Sequence, residues 1–177
     1  MRGFAKLTGL AAAALALIAV SPLAMTAARA ASSLSSMTID YLIEQGDRFA
    51  IRGEYEAARA EYEIVAELLI DEGRVPVAAL RRITTSYYFE GDYESAAATL
   101  DRLAEEAESH GDLRNQALAL ADAAYIARLA GNRAEELRRR EQLASLLSSS
   151  ELPDGVREQI RSNMRWDLRV FAPHLSS

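Results

Sequence analysis

Between Met37 and Ser149 apolar residues recur every three or four positions in six successive stretches, the period of helices that bury one face. The stretches form three pairs, each broken at a short glycine-containing turn: Arg52-Gly53-Glu54, Glu90-Gly91-Asp92 and Ala130-Gly131-Asn132. These glycines lie 38 and 40 residues apart. Self-similarity at such a period predicts a stack of helical hairpins, each covering the apolar face of the next.

Two further segments, Asp71-Glu72-Gly73-Arg74-Val75-Pro76 and Ser109-His110-Gly111-Asp112, separate one pair from the next. In each, glycine ends a helix, and Pro76 suits the first turn of the following one. The hairpins are therefore expected at about 37–72, 76–110 and 113–149. Ahead of them, residues 31–36 are small and polar and predict a flexible lead-in, with Ser36 capping a helix that starts at Met37. After them, Ser150-Glu151-Leu152-Pro153-Asp154 opens a helix through Ile160, Met164, Leu168 and Phe171 that stops before Pro173. Residues 150–172 are thus expected to cap the stack and 173–177 to form a tail. Arg157, Arg161, Arg165 and Arg169 lie four residues apart on that helix, which predicts a solvated face; the alternative is a site for phosphate or an acidic partner.

Around the first two turns the text nearly repeats itself. Gly53-Glu54-Tyr55-Glu56-Ala57-Ala58 and Gly91-Asp92-Tyr93-Glu94-Ser95-Ala96 share an aromatic residue two positions after glycine and an alanine five positions after it. Glycine permits the left-handed turn that ends the first helix of the hairpin, helix A, and the small alanine lets helices A and B approach closely. This pattern resembles the tetratricopeptide repeat family. Leu42, Gly46 and Phe49 match the family's large, small and aromatic places on helix A, and Tyr62 and Val65 its core face on helix B; Leu80, Ile83, Thr84 and Tyr87, then Leu100 and Leu103, do the same in the second unit. The resemblance implies an all-α, right-handed α-solenoid of about three antiparallel hairpins plus the C-terminal capping helix.

The third unit departs from the pattern. Leu120, Ala123, Ala124 and Ala127 fit helix A, but Arg133, Glu136 and Arg140 stand where tyrosine, alanine and an apolar residue belong. A turn one residue longer would instead bury Leu137, Ala144 and Leu147 and leave the arginines in solvent. A divergent terminal repeat is one reading, a false repeat the other.

The first thirty residues follow a different logic. Arg2 and Lys6 give a positive start, Leu7 to Val20 carry no charge, and Ala28-Arg29-Ala30 places small residues where a signal peptidase reads them. Residues 1–30 are expected to be a secretory signal cleaved before Ala31, with an uncleaved anchor as the alternative. The expectation is an exported protein, periplasmic or secreted, with no stable membrane span after cleavage.

The full chain has 177 residues, half of them hydrophobic, and a net charge of −6. Without residues 1–30 it keeps 17 basic residues, all arginine, against 26 acidic ones, a net charge of −9. An acidic protein of this kind gains nothing from counterion release, which argues against nucleic acid as a partner. Charge is also uneven: residues 31–112 carry −11 and residues 113–177 carry +2, a gradient suited to orienting a partner or to head-to-tail self-association.

Chemistry finds little purchase. The absence of cysteine excludes disulfides, thiolate metal sites and a cysteine nucleophile. The lone lysine, Lys6, lies in the expected signal, which excludes a phosphate-cradling P-loop and a lysine Schiff base from the mature chain. His110 and His174 have no partners at metal-ligand or triad spacing. No catalytic residue, metal or cofactor is expected.

In the resembled family the A helices line a concave surface. Carrying its positions across gives Asp40, Ile43, Asp47 and Ile51 in unit one, Ala78, Arg81, Thr85, Tyr88 and Phe89 in unit two, and Leu118, Asp122, Tyr125, Arg128 and Leu129 in unit three. Asp47, Arg81, Tyr88, Phe89, Tyr125 and Arg128 are the candidate partner-binding residues, since tyrosine and arginine dominate interaction hot spots. Tyr88 and Tyr125 have the alternative role of filling the core. The expected function is a protein-protein interaction module of the bacterial cell envelope that takes a peptide or helix of a partner. A self-associating scaffold is the alternative, and an envelope hydrolase has no motif behind it.

Overall fold

A computed structural model describes residues 22–171, and side chains from Ser36 to Asn163. Leu7 to Val20, His174, the tail, and the side chains of Met164, Arg165, Leu168, Arg169 and Phe171 lie outside the described residues. Seven helices follow in order among them, with no strand: α1 (Pro22–Ile51), α2 (Tyr55–Asp71), α3 (Val77–Glu90), α4 (Tyr93–Ser109), α5 (Leu113–Leu129), α6 (Arg133–Ser148) and α7 (Asp154–Phe171). The chain divides into two units, Met1–Ser36 and Met37–Ser177. Of the first, the described residues are helical and belong to α1. This corrects the expectation of a flexible lead-in capped by Ser36: alanines at 27, 28, 30 and 31 are the best helix formers, Pro22 suits a first helical position, and Ser36 lies inside the helix.

In the second unit the helices pair as the glycine period requires. Gly91 has φ 79°, a conformation that a β-carbon disfavours, and it lets the chain leave α3 while closing the helix end. Its amide donates to Tyr88 O at 3.1 Å and that of Asp92 to Tyr87 O at 3.0 Å. The same two bonds recur at Gly53 with Glu54, at Gly131 with Asn132, and between the hairpins at Gly73 with Arg74 and Gly111 with Asp112, so one helix-terminating motif is used five times among the described residues. Asp92 and Asn132 then cap the following helices through Ser95 N and Glu135 N, whereas Glu54 makes no such bond.

The core repeats in the same register. Ala58 and Ala96, five residues after their glycines, are fully buried, as are Tyr62 and Leu100 nine residues after and Val65, Leu103 and Leu143 twelve after. Helix A adds Leu80, Ile83, Leu120 and Ala123. Burying leucines and isoleucines of this kind stabilises the stack by about 1.5–3 kcal/mol each. The smallest residue on α1 does comparable work: Gly46 is buried beneath the Tyr62 ring, and a β-carbon there would collide with it.

The third hairpin corrects the expected shift. Its register does not move; Glu136 sits at the alanine position, fully buried, and Arg139 is buried with it, while Leu137 and Ala144 face solvent. Charge is tolerated inside because it is paired: Glu136 is held by Arg133 at 2.6 Å and Arg140 at 3.1 Å, and Arg139 reaches Asp101 of α4 through Nε at 2.8 Å.

Helix α7 packs against α5 and buries Val156 and Ile160, with Leu152 ahead of it. Its arginine row is not uniformly solvated. Arg157 turns back onto the end of α6 and donates to Leu147 O (3.1 Å), Ser149 O (2.7 Å) and Leu152 O (3.1 Å), where the last carbonyls of a helix lack partners of their own. Arg161 is exposed as expected.

Candidate functional site

The A helices α1, α3 and α5 carry two neighbouring clefts. The first, about 400 Å³, lies between α1 and α3 and is lined by Asp47, Ile51, Tyr55, Arg82, Thr85 and Phe89. The second, about 200 Å³, lies between α3 and α5 and is lined by Arg81, Thr85, Tyr88, Asp122, Tyr125 and Ile126. Thr85 borders both, so the two form a single track across three helices.

Five of the six candidate residues line this track. Tyr88 and Tyr125 are 38% and 41% exposed, which excludes the core-filling role for both rings. Phe89 is more open still and stacks on Tyr55, ring centroids 6.1 Å apart and planes 18° from parallel. Tyr88 meets Phe89 edge-on at 6.0 Å and Tyr93 at 5.5 Å. Such offset and edge contacts hold aromatic rings in place without burying them. The sixth residue, Arg128, stands beside the track with its guanidinium 5.2 Å above the Tyr125 ring.

The charged candidates are more constrained than expected. Asp47 accepts from Tyr62 Oη at 2.7 Å and receives Arg82 through Nε at 2.8 Å and Nη2 at 3.3 Å. The Arg82 guanidinium, seconded by the Tyr62 hydroxyl, holds the Asp47 carboxyl below the usual aspartate range despite partial burial. Burial, together with that same carboxylate, pushes the Tyr62 phenol up, and the pairing with Asp47 raises Arg82. Arg81 is paired likewise, with Asp122 at 2.8 Å. Asp47 and Arg81 thus tie consecutive A helices together.

Arg82 and Tyr55 escaped the sequence reading. Arg82 lies nine residues before its turn glycine, the place Asp122 holds before the next, and that shared position was the available signal. Tyr55, the aromatic residue two places after Gly53, is half-buried and forms one wall of the first cleft.

Metal-binding chemistry is missing among the described residues, where no group of three or more His, Asp or Glu side chains converges. His110 bonds within its own turn, to Ser109 and to Glu106 O. Among the described residues no helix is long and apolar enough to cross a membrane.

Neither a known family nor a curated protein matches this chain by sequence. In three dimensions it is similar to the TPR2AB domain of yeast Sti1, solved as a complex with pHSP90: the TM-score is 0.52 at 17% identity, over 77% of this chain and 50% of that one. The chain therefore spans about half the length of that structure. Three glycine-centred hairpins, a core repeating in one register and this likeness together establish that the chain has a tetratricopeptide-type, all-α helical-repeat fold.

Proposed function

We propose that this protein is an exported protein-protein interaction module of the bacterial cell envelope, which holds a peptide or helix of a partner along the track formed by α1, α3 and α5. One observation carries the reading: Tyr88, Phe89 and Tyr125 are exposed, large, and gathered on two adjoining clefts of one face. Exposed aromatic groups in contiguous concavities mark binding surfaces, because the ring area they leave to solvent is removed from water when a partner covers them. The similar yeast domain was solved with a bound protein partner, which favours the same use of the fold. Export is supported by the basic start, uncharged run and Ala28-Arg29-Ala30 of the first thirty residues.

The test is affinity recovery of partners from the envelope fraction with wild type and Tyr88→Ala/Tyr125→Ala. The double variant is expected to keep its helical circular dichroism and lose its partners. An unchanged set of partners with intact fold would remove the groove from consideration.

One observation favours a second reading, a self-associating scaffold: the uneven charge, −11 over residues 31–112 against +2 over 113–177, suits head-to-tail contact. Light scattering at low and high salt separates the two, since this reading requires assembly that weakens with salt.

A further inference from the structure

A third cleft, of about 290 Å³, lies between α4, α5 and α6 and shares no lining residue with the track. Asp101, Glu105 and Glu108 form its α4 wall, Arg138 and Gln142 belong to its α6 wall, and α5 contributes Gln116. The three acids stand four and three residues apart, which places them on one face of α4.

These acids are not equivalent. Asp101 is engaged by Arg138 and Arg139, and Arg138 spends its other donors on Glu135 and Gln142. Glu105 and Glu108 are exposed and pair with no described cation, although like charges three residues apart on a helix repel each other. Two negative charges on the cleft wall are therefore uncompensated.

Gln116 points to a ligand independently of those charges. Six polar or charged residues are buried among the described ones. Thr84, Ser86 and Thr99 bond to carbonyls of their own helices, and Glu136 and Arg139 are ion-paired. Gln116, only 8% exposed, lines the cleft with a side-chain amide that bonds to no described residue. A buried amide without a partner is costly, and a bonding group entering the cleft would relieve it.

Two free carboxylates and an amide oxygen call for a ligand rich in donors and carrying two positive charges. Ala104, Leu120 and Leu146 supply apolar lining that suits a methylene stem. A metal ion fits poorly, since no three acidic or histidine side chains converge among the described residues. We propose that this cleft binds an aliphatic diamine, with Glu105 and Glu108 holding its ammonium groups and the Gln116 amide oxygen accepting from one of them.

Isothermal titration calorimetry of the purified full-length chain tests this with diaminobutane, aminobutane, butanediol and calcium chloride at moderate salt. Diaminobutane is expected to bind at one site, aminobutane about 10-fold more weakly, and butanediol and calcium ion no better than aminobutane. Glu105→Gln/Glu108→Gln is expected to lose about 10-fold or more in affinity for diaminobutane. Glu56→Gln/Glu67→Gln removes the same charge from exposed positions of α2 and is expected to retain that affinity. Gln116→Leu is expected to raise the melting temperature of the free protein, because an unpartnered buried amide is gone, and yet to weaken diaminobutane binding about 10-fold. Absence of diaminobutane binding, equal affinity for aminobutane or calcium ion, or equal losses in the two glutamate variants overturns the proposal. So does a folded Gln116→Leu protein that binds as wild type does; if that variant fails to fold, Gln116→Met carries the same comparison. None of these results bears on the track, whose partners are tested separately.

Discussion

The ring of Tyr62 lies against the backbone of Gly46, so close that a β-carbon on Gly46 would overlap it. Helix α2 can approach α1 only because residue 46 has no side chain, and Tyr62 in turn fills the space that glycine leaves. Gly46→Ala is expected to destabilise the protein by about 1–3 kcal/mol, since overpacking a filled core displaces a rigid ring. Tyr62→Phe keeps the ring and removes only its bond to Asp47, and is expected to cost about 1 kcal/mol. Urea unfolding of the two variants checks the order; a Gly46→Ala protein as stable as wild type would contradict the close approach.

The same tyrosine sets a pH dependence. Asp47 has a lowered pKa when folded, so its contribution is present above the unfolded value near 3.8 and is lost as pH falls through the lower folded value. Tyr62 has a raised pKa, so its contribution is complete below the unfolded value of 10.0 and fades as pH rises beyond it. Thermal melts across pH are expected to show losses at both extremes. Asp47→Asn should flatten the acid limb and shift the alkaline one, and an unchanged profile in that variant would exclude the coupling.

Burial separates two adjacent arginines on α6 that look alike in sequence. Arg139 is 6% exposed at its side chain and holds Asp101 and Glu135, whereas Arg138 is 46% exposed although it pairs with the same two carboxylates. Arg139→Ala is expected to destabilise by about 2–4 kcal/mol, because it opens a cavity and strips a buried partnership, and Arg138→Ala by less than about 1 kcal/mol. Denaturant midpoints of the two variants decide this, and equal effects would mean that burial does not govern the cluster.

Arg157 binds the end of α6 and the chain that leads to α7 by three carbonyl contacts, and exposed Arg161 on the next turn touches none of them. Arg157→Ala is expected to raise amide hydrogen exchange across residues 154–160 by about 10-fold or more, with little change in α2 to α4. Arg161→Ala should leave exchange as it is. Matching exchange in the two variants would show that α7 is held by its apolar face alone.

The hairpins were legible in sequence because their signals are local. A glycine with an aromatic residue two places on and alanine five places on states both where a helix ends and how closely its partner packs, as at Gly53, Tyr55 and Ala58. Glu136 misled for a physical reason: at a position where Ala58 and Ala96 are buried, a carboxylate reads as solvent-facing, and only the convergence of Arg133 and Arg140 makes its burial tolerable. Asp47 and Arg81 were placed on the right face, but their partners Arg82 and Asp122 lie 35 and 41 residues away along the chain, a separation no local pattern reports. Arg157 belongs to the same class, since its role depends on which carbonyls the end of α6 leaves open. The start of α1 was missed because serine and alanine read as a linker when taken as six residues and as helix when taken with the alanines before them.

The ion pairs between repeats have an orientation. Glu63 of the first hairpin meets Arg102 of the second at 2.7 Å, Asp101 of the second meets Arg139 of the third, and Asp47 of the first meets Arg82 of the second, with the acid in the earlier unit each time. Arg81 with Asp122 and Arg59 with Glu90 run the other way. The hairpins are accordingly not exchangeable parts. Transposing the second and third would set Glu63 against a surface whose arginines stand at different places, and would carry buried Glu136 and Arg139 to a neighbour without Asp101. A stack that looks modular in outline is thus written in a fixed order, and shuffled or duplicated versions would inherit the hairpin shape without the matched edges that let one hairpin recognise the next.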